Sequence, residues 1–213
     1  MPDISVVVLA GGKSRRLGID KALLRIDGEW LLERILSKLA VLTDDLLVVA
    51  NEGEKLAALN VPVVPDARPG GGSLIGILSG LQAMRYPRGL FVGCDMPFLS
   101  LELLRYMIVM STGFDVLIPR VGDEVEPLHA VYSKACLLPI GRSLDRGALR
   151  VIHFFGDVRV RYLEQQEIEA FDPQHLSFLN INTPDDLEVA TRLLAQGKSR
   201  ARKKASKRPR IKE

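Results

Sequence analysis

Residues 4–21 read ISVVVLAGGKSRRLGIDK. The apolar, valine-rich start of this stretch predicts a buried β-strand. Two adjacent glycines, Gly11 and Gly12, follow the strand, and a cationic stretch that contains Arg15 and Lys21 comes next. Glycines let the backbone approach a ligand and direct its N–H groups at phosphate oxygens, while Arg and Lys neutralise phosphate charge. The stretch therefore predicts a polyphosphate site directly after a strand; a tight turn with solvated basic residues is the alternative.

Two well-known phosphate motifs do not fit this turn. Gly12-Lys13-Ser14 is similar to the end of a P-loop, but that motif needs a glycine five positions earlier, where the chain has Val7. The dinucleotide-binding fingerprint also fails, because Gly11 and Gly12 are adjacent and no third glycine falls in place. The turn is therefore not that of a P-loop NTPase, and a dehydrogenase loses its main support.

Strand patterns alternate with helical patterns along the chain, which is typical of an α/β fold with a largely parallel sheet. After the first strand, strand patterns cover residues 46–50, 61–64 and 89–94, and helical patterns cover residues 30–39, 74–84 and 100–110. Shorter strand candidates, some expected to be antiparallel, lie at residues 114–119, 129–133, 158–163 and 178–181. Thr183 before Pro184 predicts the start of a final helix. We expect a single Rossmann-like, three-layer α/β domain with a mostly parallel, twisted sheet and a small antiparallel part.

Composition divides the chain into a body and a basic tail. The 213 residues are 47% hydrophobic and 26% charged, which is ordinary for one globular domain with its own core. Residues 198–213 contain nine Lys or Arg and one Glu, which leaves 20 basic and 25 acidic residues in residues 1–197. The net charge of +3 therefore does not indicate nucleic-acid binding by the body. We expect a domain at residues 1–197 and a disordered tail at 198–213, with loose binding of RNA or another polyanion as the tail's alternative.

The cysteines and the amino-terminal residues indicate in which cellular compartment the protein is located. Cys94 and Cys136 lie in apolar segments and lack the spacing of a zinc site or a disulfide framework, so both are expected to be reduced, with Cys94 in the core. The first residues have no basic stretch, and the apolar run 4–10 is too short for a signal peptide or a membrane span. We expect a cytoplasmic protein without a membrane partner.

Asp95 is the candidate metal ligand. It follows the apolar strand pattern in GCDMPFL, residues 93–99, where the proline ends the strand. Residues just beyond the carboxyl ends of strands line the ligand crevice of open α/β sheets. A carboxylate there suits Mg²⁺, which usually takes one or two carboxylates together with waters and substrate phosphates. The alternative is a helix cap, for which Ser100 is better placed.

Asp66 is the candidate for recognition of a base. It follows a strand pattern and precedes the glycine run Gly70 to Gly72, which leads into a helix. A carboxylate can accept hydrogen bonds from the ring N–H and the amino group of guanine, a pair of donors that adenine and cytosine do not offer together. A turn-stabilising aspartate is an equally weighted alternative.

Four further polar residues leave two interpretations open. His129 and Tyr132 lie on a strand candidate and would face a second substrate or, as is more usual for a histidine with apolar neighbours, belong to the structure. Asn180 and Asn182 alternate along a predicted strand and so share one face. That face would reach the second substrate or the metal, or the two residues would help to cap the last helix.

Taken together, four motifs resemble molybdenum cofactor guanylyltransferases. They are L-A-G-G-x-S-x-R-x-G-x-D-K at residues 9–21, CDMPFL at residues 94–99, PLHAVY at residues 127–132 and FLNINTPDDL at residues 178–187. The likeness covers roughly residues 4–195 and leaves out the basic tail. The glycine-rich start is shared with the wider nucleotidyltransferase superfamily, whereas its combination with the second and third motifs is more specific.

The resemblance implies the fold of nucleotide-diphospho-sugar transferases and transfer of GMP from GTP to Mo-molybdopterin, with Mg²⁺ as cofactor. It also implies roles for residues that match the motifs. Those expected at the GTP site are Leu9, Ala10, Gly11, Gly12, Lys21, Asp66 and Asp95. Arg15, Lys21 and Asp95 are expected to be catalytic, with Asp95 as the metal ligand. We expect a monomer that makes at most transient contacts with proteins that deliver the pterin or receive the product.

Other functions remain open at this point. A molybdopterin cytidylyltransferase or another small-metabolite nucleotidyltransferase would share the glycine turn but not the guanine preference. A nucleotide-binding protein without turnover, or an RNA-binding protein acting through its tail, belongs to a different class. Release of pyrophosphate separates the enzymes from these binding proteins.

Overall fold

A computed structural model describes residues 3–11, 24–70 and 72–206, with side chains described up to residue 197. The strands are β1 (Ser5–Leu9), β2 (Arg25–Ile26), β3 (Glu29–Trp30), β4 (Leu46–Val49), β5 (Val63–Val64), β6 (Arg88–Gly93), β7 (Val116–Val121), β8 (Glu124–Val125), β9 (His129–Ser133) and β10 (Val160–Leu163). The α-helices are α1 (Leu31–Leu39), α2 (Ser73–Ala83), α3 (Leu101–Met110), α4 (Leu137–Asp145), α5 (Gln165–Glu169) and α6 (Pro184–Ser206). No helix in these described residues is long and apolar enough to cross a membrane.

The strands of the described residues form one large mixed sheet and one small hairpin. The large sheet has the order β10-β7-β9-β6-β1-β4-β5, with β8 added to β7, and β2 pairs with β3. Strands β6, β1, β4 and β5 are mutually parallel. Strand β9 is antiparallel to both of its neighbours, β6 and β7. The expected mostly parallel sheet with a small antiparallel part is confirmed.

Two apolar cores cover the two faces of the sheet, because β1 directs alternate side chains to opposite sides. Val6 and Val8 lie in one core with α1, α3 and the buried residues of α6. Val7 and Leu9 lie in the other core with α2 and α4. All five residues of β1 are buried, as expected for a central parallel strand that is covered on both faces. The predicted three-layer arrangement is therefore present.

Three local features differ from the sequence interpretation. Residues 178–181 do not form a strand: a 3₁₀-helix at Leu176–Phe178 precedes an irregular segment, because side chains bond to its backbone in place of a neighbouring strand. Strand β5 is two residues shorter than expected. Trp30 is half-buried beneath the Arg25 guanidinium, 4.3 Å from its ring centroid, and so lies at the rim of the core.

Helix α6 continues past the predicted boundary of the domain. Its Thr183 Oγ1 accepts from Asp186 N at 3.2 Å, so the predicted start at Pro184 is confirmed. The helical backbone runs on to Ser206, past the predicted boundary, and the division into a domain at residues 1–197 and a disordered tail at 198–213 stays a prediction. Ala, Arg and Lys are good helix formers, which accounts for the continuation. Residues 207–213 lie outside the described part of the chain.

Helix α2 packs very closely on the sheet at Gly80. A Cβ atom at this position would lie 2.6 Å from Phe91 Cε1 and 2.7 Å from Val7 Cγ1. Both neighbours belong to fully buried side chains of the central strands, so neither has room to withdraw. The absence of a side chain at Gly80 therefore allows α2 to lie this close to β1 and β6.

We expect Gly80→Ala to destabilise the protein, since overpacking of a dense core costs about 1–3 kcal/mol and outweighs alanine's higher helix propensity. Thermal and urea unfolding measure the change. The control is Gly197→Ala in α6, where nothing lies within 4 Å of the new Cβ, and which should be neutral or stabilising. Equal unfolding midpoints for the two variants would contradict the close packing.

Candidate active site

The carboxyl ends of four parallel strands meet at one edge of the sheet. Leu9 of β1 pairs with Val49 of β4 and with Gly93 of β6, and Val49 pairs in turn with Val64 of β5. The residues just beyond these ends are therefore neighbours along the edge. They are Ala10 and Gly11 after β1, Asn51 after β4, Asp66 after β5 and Asp95 after β6. The predicted residues Gly12, Arg15 and Lys21 lie outside the described residues.

Leu9 and Ala10 contribute backbone groups, and not side chains, to this edge of the sheet. Both side chains are buried. The Ala10 N–H donates to Val49 O at 2.9 Å, and Leu9 O accepts from Cys94 N at 3.1 Å. Gly11 is exposed, and among the described atoms nothing lies within 4 Å of where its Cβ would be. A ligand of this strand end would thus meet open backbone at Gly11 rather than the side chains before it.

Asp95 is held in a close turn at the end of β6. It is 8% exposed, and its backbone carbonyl accepts from Ile181 N at 3.0 Å. A Cβ at Gly93 would lie 2.6 Å from Asp95 Oδ1, so the carboxylate folds back over Gly93 and would have to shift if a larger residue stood there. The N-cap of α3 is Ser100, whose Oγ accepts from Leu103 N at 3.3 Å. The alternative role for Asp95 as that cap is therefore filled by another residue.

Glu126 is a carboxylate at this end of the site that sequence reasoning missed. It lies on the link between β8 and β9, and its backbone N–H donates to Pro119 O at 3.1 Å. Burial, followed by the negative charges of Glu124 and Asp95, raises the pKa of Glu126 to about 7. The only signal in the sequence was its place immediately before the PLHAVY motif.

The donor set at Asp95 fits a hard divalent cation that completes its coordination with phosphates and water. In the described part of the chain, no group of three His, Cys, Asp or Glu side chains is arranged to enclose a metal by itself. Mg²⁺ usually takes one or two carboxylates and keeps the remaining positions for waters and substrate phosphates. Asp95, whose negative charge also reaches the Glu126 carboxyl, would supply the carboxylate of that pattern.

Asp66 is oriented by Asn51, a second residue that sequence reasoning missed. The Asn51 Nδ2 donates to Asp66 Oδ2 at 2.8 Å, and the Asp66 N–H donates to Asn51 Oδ1 at 2.9 Å. The two bonds fix the direction of the carboxylate and engage only one of its oxygens. Asn51 is the second residue after β4, and its place at a strand end was the signal that would have found it.

The loop that follows Asp66 is held on both sides. The Ala67 N–H donates to the buried Ser79 Oγ at 2.9 Å, and Arg68 Nη1 pairs with Asp145 Oδ1 at 2.6 Å. Gly70 and Gly72 have φ of 110° and 105°, a region that L side chains rarely adopt. Two glycines of the predicted run are therefore required by backbone conformation, and the loop leads directly into α2.

The remaining polar candidates divide between the core and the edge. His129 and Tyr132 are fully buried, and the Tyr132 hydroxyl donates to Pro127 O at 2.8 Å, so the structural alternative holds for both. Asn180 and Asn182 flank Ile181, whose N–H bonds to Asp95 O. Asn180 and Asn182 do not share a strand face, but the backbone between them, at Ile181, lies against Asp95.

His129 is a neutral buried histidine, and its stability effect depends on pH. Its ring packs edge-on against Phe178, with 4.9 Å between centroids, and its nitrogens have no hydrogen-bond partner among the described residues. Burial lowers the pKa of His129 to about 4, although the Asp172 charge opposes the change. Between pH 6.5 and pH 4 this histidine binds a proton in the unfolded chain but stays neutral in the folded chain. Stability is therefore retained above pH 6.5 and lost as the pH falls toward 4.

We expect His129→Leu to remove this acid sensitivity. Relative to the variant, the wild type should lose about 3 kcal/mol of unfolding free energy between pH 7 and pH 4. Urea unfolding at several pH values measures the difference. His153→Leu, at an exposed position, is the control and should follow the wild type. Parallel curves for wild type and His129→Leu would refute the expectation.

Comparisons with known proteins agree with this geometry. Residues 6–162, from β1 to β10, match the model of the MobA-like NTP transferase domain. The chain belongs to this family. It is 40% identical over 190 residues to a probable molybdenum cofactor guanylyltransferase of Pelotomaculum thermopropionicum, covering 89% of this chain and 92% of that protein. It is 33% identical to a molybdenum cofactor guanylyltransferase of Desulfosudis oleivorans, covering 93% and 99%.

A solved structure has the same fold. Molybdopterin-guanine dinucleotide biosynthesis protein A from Archaeoglobus fulgidus superposes with a TM-score of 0.82 at 30% identity, covering 91% of this chain and all of that one. The chain is therefore a nucleotidyltransferase, and the fold expected from its motifs is confirmed. The strand-end edge is the part of the sheet where ligands of open α/β folds bind.

Proposed function

We propose that this chain transfers the GMP part of GTP to Mo-molybdopterin, giving molybdopterin guanine dinucleotide and pyrophosphate. The observation that carries the proposal is the shared edge, on which an oriented carboxylate at Asp66 and a carboxylate at Asp95 flank the open backbone of Gly11. Both relatives named above bear the guanylyl name, which favours GTP over the cytidylyl alternative. The cytoplasmic location and the monomeric state predicted from the sequence remain predictions.

Asp66 suits the recognition of guanine. The Asn51 amide engages Oδ2, which leaves Oδ1 directed away from that amide. A carboxylate accepts from the ring N–H and amino group of guanine, whereas it repels the acceptor-rich edge of cytosine. The fixed direction matters because a hydrogen bond to a charged group is strong only when its geometry is good.

The reaction is an in-line displacement at phosphorus. An oxygen of the terminal phosphate of the pterin attacks the α-phosphorus of GTP. The bond from that phosphorus to the oxygen bridging the α- and β-phosphates breaks, and the oxygen leaves with its electron pair in pyrophosphate. No covalent enzyme intermediate is needed, so the protein contributes by positioning the two anions and stabilising the charge on the departing group.

The residues of the first turn and of β6 divide this work. We assign the phosphates to the backbone of Gly11 and Gly12 and to Arg15 and Lys21, whose types suit an anion. Nucleotidyltransferases of this family generally use a divalent metal, and we assign Mg²⁺ to Asp95. When bound, the metal would neutralise charge on the phosphate oxygens. Asp95 would hold it at the end of the sheet that carries the triphosphate turn.

Pyrophosphate release with each of the four nucleoside triphosphates, in the presence of molybdopterin and Mg²⁺, tests the proposal. GTP should be used well above the other three. Nucleotide binding without pyrophosphate release would reject the enzymatic function. A preference for CTP would reject the guanylyl assignment while retaining the nucleotidyltransferase.

We expect Asp66→Asn to change base preference more than maximal rate. The Asn51 amide selects the remaining oxygen, so the new NH₂ group replaces the acceptor that guanine needs. The lost hydrogen bonding is worth about 1.5–3 kcal/mol, or roughly 10- to 100-fold in kcat/KM for GTP, with a smaller change for CTP. The control is Asp157→Asn, at an exposed position in a different part of the chain. An unchanged GTP-to-CTP ratio would mean that backbone groups of the loop after Asp66 read the base.

We expect Asp95→Asn to abolish most transfer without loss of the fold. The amide keeps the size of the carboxylate but removes its charge, and loss of a group that acts on developing charge costs about 10²- to 10³-fold in rate. The rate is measured at saturating GTP and Mg²⁺, with circular dichroism as the check on folding. Near wild-type turnover by the variant would show that the metal is held elsewhere.

A further inference from the structure

The segment at residues 172–182 is fastened to the turn that follows Asp95. Ile181 N donates to Asp95 O at 3.0 Å, and Ser100 N donates to Ser177 Oγ at 3.0 Å. The same hydroxyl donates to Phe98 O at 3.5 Å. The turn at residues 95–100 is thus bonded at both of its ends to a segment that lies about 80 positions later in the chain.

Ser177 occupies the centre of this contact. It is fully buried, and its hydroxyl serves one backbone donor and one backbone acceptor of the turn. Burial means that water cannot replace the hydroxyl if it is removed, so Ser100 N and Phe98 O would each lose this partner. The contact therefore fixes the turn in place as well as occupying space beside it.

Asp172 holds Ser177 in turn. It is 8% exposed, and its carboxylate accepts from Leu176 N at 3.1 Å and from Ser177 N at 2.7 Å. His175 lies between Asp172 and Ser177 and has a φ of 53°. The backbone therefore bends through a left-handed conformation between the Asp172 carboxylate and the N–H groups that it accepts from. Two charge-assisted bonds to backbone N–H groups are stronger than neutral ones and stabilise this bend.

We propose that Ser177, oriented by Asp172, is a positioning residue for the Asp95 carboxylate. Through the turn at residues 95–100 it sets where Asp95 stands relative to the segment that passes it at Ile181. The inference rests on the proposed role of Asp95 as metal ligand. The metal end of the site is thus aligned by two buried residues, Ser177 and Asp172, that lie far along the chain and take no part in the chemistry.

The base-reading end of the site is fastened independently. Asp66 is held by Asn51, and the loop after it is held by Ser79 on α2. None of these bonds involves the turn at residues 95–100. Loosening Ser177 should therefore weaken metal binding and lower kcat while leaving the KM for GTP nearly unchanged, a division that a general loss of stability does not produce.

The test compares Ser177→Ala with Ser143→Ala. Ser143 is also fully buried, but it lies on α4 and its hydroxyl has no hydrogen-bond partner among the described residues. Binding of Mn²⁺ is measured by electron paramagnetic resonance in the presence of a GTP analogue with a non-cleavable α–β bridge, and kcat and KM are measured separately. Ser177→Ala should weaken Mn²⁺ binding and lower kcat by roughly 10-fold, the lower end of the range for residues that orient metal ligands. Ser143→Ala should change neither.

Two further variants keep the result interpretable. Asp172→Asn should change Mn²⁺ binding in the same direction even if Ser177→Ala proves too unstable to assay. Ser177→Thr retains the hydroxyl and should recover most of the loss. The inference is overturned if Ser177→Ala and Asp172→Asn, assayed below their unfolding midpoints, bind Mn²⁺ like Ser143→Ala.

Asp95→Asn, measured in the same way, separates this inference from the proposal on which it rests. If Asp95→Asn binds Mn²⁺ as the wild type does, Asp95 is not the metal ligand and both assignments fail. If Asp95→Asn loses Mn²⁺ but Ser177→Ala does not, the metal site stands and the positioning role is wrong.

Discussion

The parallel pairing of β1 with β4 on one side and β6 on the other is the constraint on which the rest of the molecule depends. A central parallel strand must be covered on both faces, so β1 is apolar throughout and its side chains divide between two cores. The same pairing aligns the carboxyl ends of the strands. Function and stability therefore have one origin, since the register that buries Val6 and Val7 also brings Gly11, Asp66 and Asp95 to one edge.

Much of the fold could be predicted because its signals are local. Strand and helix patterns differ in period, and helix starts carry polar caps, as at Ser100 and Thr183. The order of the strands was less accessible: β9 lies between β6 and β7 and runs antiparallel to both, and nothing in the sequence of β9 specifies that place.

The site candidates chosen from the sequence are residues that follow strand patterns, and those that were missed are polar residues that interact with these candidates. Asp66 and Asp95 follow strand patterns, and their roles at the site stay predictions. Asn51 bonds to Asp66, and the charge of Asp95 reaches Glu126, but both pairs join segments that are 15 or more positions apart and leave no periodic trace. Residues 178–181 failed for a related reason. Their apolar alternation suggests a strand, whereas polar bonds to the segment's own backbone decide its course.

In the proposed function, the edge also separates recognition of the base from binding of the metal and the phosphates. Asp66 follows β5 and Asp95 follows β6, with β4 and β1 between those strands. Three strand spacings amount to about 14 Å, so the two carboxylates stand at opposite ends of the row and not in one cluster. Gly11, which follows β1, lies between them, and among the described atoms nothing lies within 4 Å of where its Cβ would be.

This separation has an electrostatic reason. Burial, and after it the negative charges of Glu124 and Asp95, raises the pKa of Glu126, so further negative charge at this end of the site is unfavourable before any substrate arrives. Two phosphorylated substrates would add further negative charge there. In the proposed function, a cation at Asp95 and the basic side chains of Arg15 and Lys21 would offset this charge. Asp66, proposed above to read guanine, is separated from that end by β1 and β4, which would limit the repulsion between its charge and the triphosphate.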